Sequence, residues 1–187
     1  MQILLTVSAF WVISEIVIMR MKRSNAAETT SRDRGSFMFI WLLFMFGPFS
    51  AGLATPVAAT RMAEPLRTYA FWGGLALIVI GILIRWTAIA TLKRYFTVDV
   101  AIAKDHKVID HGIYALVRHP SYSGMLLSMI GLGLAFMNWL SFAICVVLAI
   151  VALSYRISVE ERALIEALGD DYRAYAARTK RLIPGVY

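Results

Sequence analysis

The sequence predicts an all-α integral membrane protein of about five transmembrane helices, with a tight C-terminal helical hairpin and a cofactor pocket at its cytoplasmic edge. Two observations set the class. Of the 187 residues 59% are hydrophobic and 17% charged, with a mean hydropathy of +0.67; soluble domains average roughly 45–50% and about 25%. A soluble chain of this composition would expose far too much apolar surface. The apolar residues also gather into runs, and roughly 20 of them let a helix satisfy its own backbone across the bilayer.

The runs follow in order. Ile3 to Met19 is broken only by Glu15 and small polar residues. No basic segment precedes it, and Arg20, Lys22 and Arg23 follow, so it reads as a retained span rather than a signal peptide. Residues 24–36 are polar and read as a loop. The second run, Phe37 to Ala59, carries Gly47-Pro48 and Pro56 as expected kinks. After a link with Arg61 and Arg67, the third run spans Tyr69 to Leu92 with Arg85 inside it.

Residues 93–121 form the longest non-apolar stretch. Two runs then follow, Tyr122 to Met137 and Trp139 to Tyr155, parted only by Asn138. That spacing predicts a tight hairpin whose first arm reaches about 24 Å, short of a ~30 Å hydrocarbon core. Residues 156–180 read as a helix leaving the membrane, a stop at Gly169, and a short helix capped by Asp170. The whole, 1–187, is expected to be one membrane domain: three spans in 1–92, then the loop, hairpin and tail in 93–187.

The formal charge of +7 lies between the runs. Such placement sets topology and meets anionic lipid headgroups, and argues against a nucleic-acid partner. Five spans put 20–36, 93–121 and the tail on the strongly basic side, against Arg61 and Arg67 on the other. The N-terminus is then predicted outside and the 93–121 loop in the cytoplasm. Cys145 stands alone in an apolar run, so no disulfide or thiolate site forms. His106, His111 and His119 lack metal-ligand spacing, and no metal is expected; His111 reads as a solvated loop residue.

Two polar segments fall on the cytoplasmic side. One runs from His106-Lys107-Val108-Ile109 through Tyr114 to Arg118-His119-Pro120-Ser121-Tyr122. Pro120 suits the first position of the hairpin helix, whose following N–H groups would favour a carboxylate or phosphate. The other is Arg156-Ile157-Ser158-Val159-Glu160-Glu161, with Arg156 and Glu160 on one helix face. Each has a plain reading beside the functional one. Arg118 and Arg156 could anchor or snorkel, Glu160 could pair with Arg156, and His106 and His119 could be loop hydrogen-bonders. Arg85, inside a span, is either functional or snorkelling. The Gly73/Gly74 and Gly131/Gly133 sites read as close helix packing, and Met125 and Met129 as lipid-facing or gap-filling.

In order and spacing, residues 95–184 resemble the isoprenylcysteine carboxyl methyltransferase family. The likeness is carried by Asp105-His106-Lys107-Val108, Gly112-Ile113-Tyr114, Val117 to Gly124, Arg156-x-x-x-Glu160-Glu161, and Arg181-Leu182-Ile183-Pro184. The chain is similar to the short prokaryotic form rather than to the longer eukaryotic members. The resemblance implies that His106 to Ile109, Tyr114, His119 to Tyr122 and Glu160 line an S-adenosylmethionine pocket. It also implies a role for Asp99, although its acid stands where the family favours an amide, and ties Arg156 to substrate. Arg156 and Glu160 are the expected catalytic pair.

The chemistry of these side chains agrees. Glu160 would favour the cationic groups of S-adenosylmethionine, His119 and the helix start its carboxylate, and Tyr114 or Tyr122 its apolar or ring surface. Methylating a carboxylate is an in-line displacement needing alignment in a dry site rather than a base, and Arg156 could hold that carboxylate. A lipophilic acceptor would enter from the bilayer. The rival readings are a phospholipid N-methyltransferase, an NADPH-dependent reductase of the sterol reductase type, and a non-enzymatic small membrane protein.

Overall fold

A computed structural model describes residues 2–21, 29–98, 100–103 and 107–187, without side-chain detail at 29–41, 43, 45 and 100–103. His106, Asp99 and Asp105 lie outside the described residues. The architecture is helical: α1 (Gln2–Met21), α2 (Arg34–Ala54), α3 (Leu66–Leu92), α4 (Pro120–Ala135) and α5 (Trp139–Arg178). Each of the five apolar runs supplies one helix. Among the described residues, α1, α3 and α5 are long and apolar enough to cross a membrane.

The structure differs from expectation in two places. The polar segment before α2 is not all loop, because β1 (Thr29–Asp33) pairs antiparallel with β2 (Val100–Ala103), drawn from the 93–121 stretch. Two strands this short have no hydrophobic alternation long enough to register in sequence. The second helix also stops at Ala54 rather than Ala59, two residues before Pro56, since a residue before proline is steered out of helical geometry. Pro48 lies inside α2.

Helices α3 and α4 pack backbone to backbone. A Cβ at Gly74 would stand 2.5 Å from the Gly131 carbonyl, and one at Gly81 2.3 Å from Ser128 Oγ and 2.5 Å from the Gly124 carbonyl. Small residues every seventh position on each helix permit that approach, as in membrane helix pairs generally. Gly133 serves the α4–α5 turn instead, facing Phe142 and Cys145, and Gly73 meets nothing. Met125 and Met129 fill the interior of this contact rather than facing lipid.

The hairpin closes on Asn138. Its Oδ1 accepts from the Leu140 and Ser141 amides at 2.9 and 3.1 Å, capping α5. The same side chain donates to the Val57 carbonyl and meets Thr60 Oγ1 at 3.0 Å, so the buried amide also pins the α2–α3 link. At the other end, Gly169 breaks α5 with φ 56° and ψ −127°, a conformation only glycine adopts cheaply. The chain then folds back, and the expected stop is where the sequence puts it.

Candidate functional site

A cavity of about 330 Å³ opens among the five helices and the segments 95–98 and 108–119. One end is lined by Val108, Ile109, Tyr114, His119, Tyr122, Glu160 and Tyr172, and the other by Trp11, Phe44, Pro48, Met125 and Leu132. It is therefore amphipathic, with polar groups at one end and a mostly apolar chamber at the other. Its volume falls at the lower end of the range for small-molecule sites.

Tyr122 organises the polar end. Its hydroxyl donates to Glu160 Oε2 at 2.5 Å and accepts from Arg156 Nε at 3.1 Å. Arg156, buried, also donates to the Val98 carbonyl at 2.6 Å, tying the 93–121 segment to α5. Thus Arg156 and Glu160, one helical turn apart, converge on one phenol contributed by α4. The neighbouring His119 ring stacks on Tyr122 with centroids 5.5 Å apart. Tyr114 is buried and held by Tyr175, whose hydroxyl donates to the Tyr114 carbonyl at 2.7 Å. Burial, and secondarily the Glu160 charge, push the Tyr114 phenol above its usual pKa, so it remains a neutral hydroxyl.

The residue after Glu160 does different work. Glu161 accepts from Arg118 Nε at 2.9 Å and from Arg181 Nε and Nη2 at 3.0 and 2.8 Å, and lies 3.3 Å from His119 Nε2. Arg118 in turn donates to the Ala176 and Thr179 carbonyls. The amides of Arg118 and His119 donate to the Lys180 and Arg181 carbonyls at 2.8 and 3.0 Å. Glu161 is the hub that docks the tail over the cavity; neighbours on a helix point about 100° apart, so one glutamate faces the cavity and the next the tail.

The expected anion site at the start of α4 has few donors to offer. The His119 amide is taken by Arg181, while the Tyr122 and Ser123 amides donate to the His119 carbonyl. The Ser121 hydroxyl accepts from Arg85 Nη1 at 2.7 Å. Arg85 does not snorkel: it is buried, and it grips Glu15 of α1 through Nε (2.5 Å) and Nη2 (2.7 Å). This buried pair joins helices seventy residues apart and lines the cavity.

Most sequence-predicted site residues come together here: Val108, Ile109, Tyr114, His119, Ser121, Tyr122, Arg156 and Glu160 all line the cavity. Pro120 is buried at the first turn of α4 without lining it. Lys107 is exposed and is not among the lining residues, whereas Val108 and Ile109 are. Cavity-lining residues to which the sequence reading gave no site role include Glu15, Trp11 and Tyr172, the last of which is part of the motif carrying the family resemblance. The available signal at Glu15 was an acid inside an apolar run.

Polar atoms around the cavity are left unpaired. Among the described residues, Ser8 Oγ, Trp11 Nε1 and Tyr172 Oη are buried without a hydrogen-bond partner, and all three side chains line the cavity. Native proteins seldom bury such groups unsatisfied, so the cavity suits a guest that carries hydrogen-bonding atoms. These groups can donate to acceptor atoms of a guest, while the Glu160 carboxylate in the same lining favours a positively charged group.

Comparison with known proteins follows the same lines. The isoprenylcysteine carboxyl methyltransferase (ICMT) family model matches residues 74–166. The chain is 36% identical over 115 residues to protein-S-isoprenylcysteine O-methyltransferase B of Arabidopsis thaliana, covering 60% of this chain and 58% of that protein. It is 32% identical over 112 residues to the protein-S-isoprenylcysteine O-methyltransferase of Schizosaccharomyces pombe, covering 59% and 48%. A solved eukaryotic intramembrane Ras methyltransferase, isoprenylcysteine carboxyl methyltransferase, superposes with a TM-score of 0.65 at 26% identity, over 76% of this chain and 52% of that one. The chain thus spans a little over half the length of the first curated relatives it matches.

Proposed function

Because this chain belongs to the isoprenylcysteine carboxyl methyltransferase family, we propose that it is a membrane-embedded, S-adenosylmethionine-dependent methyltransferase that esterifies the carboxylate of a lipophilic, isoprenylcysteine-like acceptor. The observation that carries this is the amphipathic cavity, with Tyr122, Glu160 and Arg156 gathered at its polar end and an apolar chamber behind them. Such a shape suits an acceptor with a charged head and a hydrocarbon tail.

S-adenosylmethionine would supply an electrophilic methyl group on a sulfonium. Val108, Ile109, Tyr114, His119, Tyr122 and Glu160 would hold it, with His106 completing the set on the strength of the resemblance alone. Glu160 offers negative charge to the cationic groups, and Tyr122 fixes the direction in which that carboxylate points. The neutral Tyr114 and Tyr172 phenols supply ring surface and hydrogen bonds. Arg156 would orient the acceptor carboxylate, its guanidinium set in place by the Val98 carbonyl and Tyr122. Burial of the cavity excludes water, which strengthens each of these interactions. The acceptor enters from the bilayer, and the cofactor from the cytoplasmic side favoured by the charge distribution.

The reductase alternative fares less well. Two of the arginines lining the cavity, Arg85 and Arg118, are neutralised by Glu15 and Glu161, and the third, Arg156, is held by Val98 and Tyr122, so among the described residues the cavity presents no arginine cluster for a 2′-phosphate. Carboxyl and nitrogen methylation are told apart by product chemistry. Purified protein incubated with methyl-labelled S-adenosylmethionine and an S-farnesylcysteine should yield a lipid-soluble label that mild base releases as methanol. Base-stable label transferred to a phospholipid amine would instead establish the N-methyltransferase.

A further inference from the structure

The sequence resemblance assigns nothing to α1, which lies outside the matched residues 74–166. Yet α1 turns a stripe toward the cavity: Ser8, Trp11, Val12, Glu15 and Met19 all line it. Ser8, Trp11 and Glu15 stand at i, i+3 and i+7, one helical face. In a helix otherwise apolar enough to span a bilayer, three polar groups on the inward face are costly, and such residues mark ligand paths. The Arg85 grip on Glu15 fixes the rotation of this face. Glu15 Oε2 accepts from Arg85 Nη2, while Oε1 is ion-paired with Arg85 Nε without a hydrogen bond. Trp11 is only 5% exposed, and neither its indole N–H nor the Ser8 hydroxyl has a partner among the described residues.

The stripe has a direction. Glu15 is joined through Arg85 to Ser121, the residue beside Tyr122 and hence the polar end of the cavity. At 1.5 Å per residue, Trp11 lies about 6 Å and Ser8 about 10 Å further along α1, beside the apolar chamber of Phe44, Pro48 and Leu132. A plain hydrocarbon tail would leave both groups unsatisfied there, the less stable arrangement in a dry chamber.

We propose that Trp11 and Ser8 form a hydrogen-bonding subsite for an oxygen in the tail of the acceptor, so that the preferred substrate is an oxygenated lipid carboxylate rather than a purely hydrocarbon isoprenylcysteine. The proposal rests on the methyltransferase reading for the word substrate, while the subsite itself is a binding property. The indole N–H donates to a carbonyl or ether oxygen, and the serine hydroxyl donates to the same atom or a second one. Glu15 and Arg85 act as positioning residues.

The test is equilibrium binding of two carboxylate lipids to the detergent-purified full chain. One is an S-farnesylcysteine; the other is the same compound with a mid-tail methylene replaced by a ketone. Wild type should bind the ketone about fivefold more tightly, the gain of one neutral hydrogen bond. A Trp11→Phe/Ser8→Ala variant should bring the ratio to one or below. Equal or weaker ketone binding by the wild type overturns the subsite, as does a preference that survives in the variant. S-adenosylhomocysteine titrated alongside separates the two claims: its failure to bind, with the ketone preference intact, would remove the methyltransferase reading and leave the subsite standing.

Discussion

Replacing Glu161 by alanine should undock the tail, and the size of the effect can be worked from its contacts. The Glu161 side chain is 10% exposed and pairs with Arg118, equally buried, and with Arg181, which is 38% exposed. Removing one partner of a buried ion pair costs about 3–5 kcal/mol because the other charge stays buried. Arg118 keeps its bonds to the Ala176 and Thr179 carbonyls, which argues for the lower end, about 3 kcal/mol. Arg181 adds at most about 1 kcal/mol, since solvent screens an ion pair that open. For a chain of this length the sum corresponds to a fall in Tm of roughly 6–15 °C. The assay is thermal unfolding in detergent, with limited trypsin digestion in parallel, where freed Arg178 and Lys180 should be cut first. A shift below about 2 °C, with unchanged cleavage, would refute the hub.

Three further outcomes follow from the same geometry. Gly124→Val places methyl groups where a bare Cβ already stands 2.5 Å from the Gly81 carbonyl; it should destabilise by at least about 1–3 kcal/mol, read as loss of monodisperse protein on size exclusion or a lowered Tm. Asn138→Ala removes the α5 cap together with contacts to Val57 and Thr60, and should cost about 1–2 kcal/mol by thermal unfolding. Arg85→Met alone should be strongly destabilising, by about 3–5 kcal/mol, whereas Arg85→Met with Glu15→Leu should recover most of it; equal losses in both would show that the pair is not what joins α1 to α3.

The helical frame was legible because each element rests on a local signal: five apolar runs, Asn138 alone between two of them, and Gly169 where the helix must end. Gly74 and Gly131 could be read as packing residues for the same reason. What stayed hidden depends on contacts far apart in sequence. Nothing local pairs Glu15 with Arg85, and an arginine two turns from a helix end reads equally well as snorkelling until its partner is seen. Glu160 could be told from Glu161 by its place one turn after Arg156 and by the family resemblance, but nothing local announced that Glu161 would pair with Arg118 and Arg181. The β1–β2 ribbon escaped notice because five and four residues carry no period.

The central claim is a cofactor pocket built on Tyr122 and Glu160, and calorimetric titration of S-adenosylhomocysteine into the purified protein tests it most directly. The account predicts saturable binding by wild type, binding weakened about tenfold or more in Tyr122→Phe through loss of a charge-assisted hydrogen bond, and none measurable in Glu160→Ala. No binding by a folded wild-type sample, or saturable binding of NADPH in its place, would contradict it.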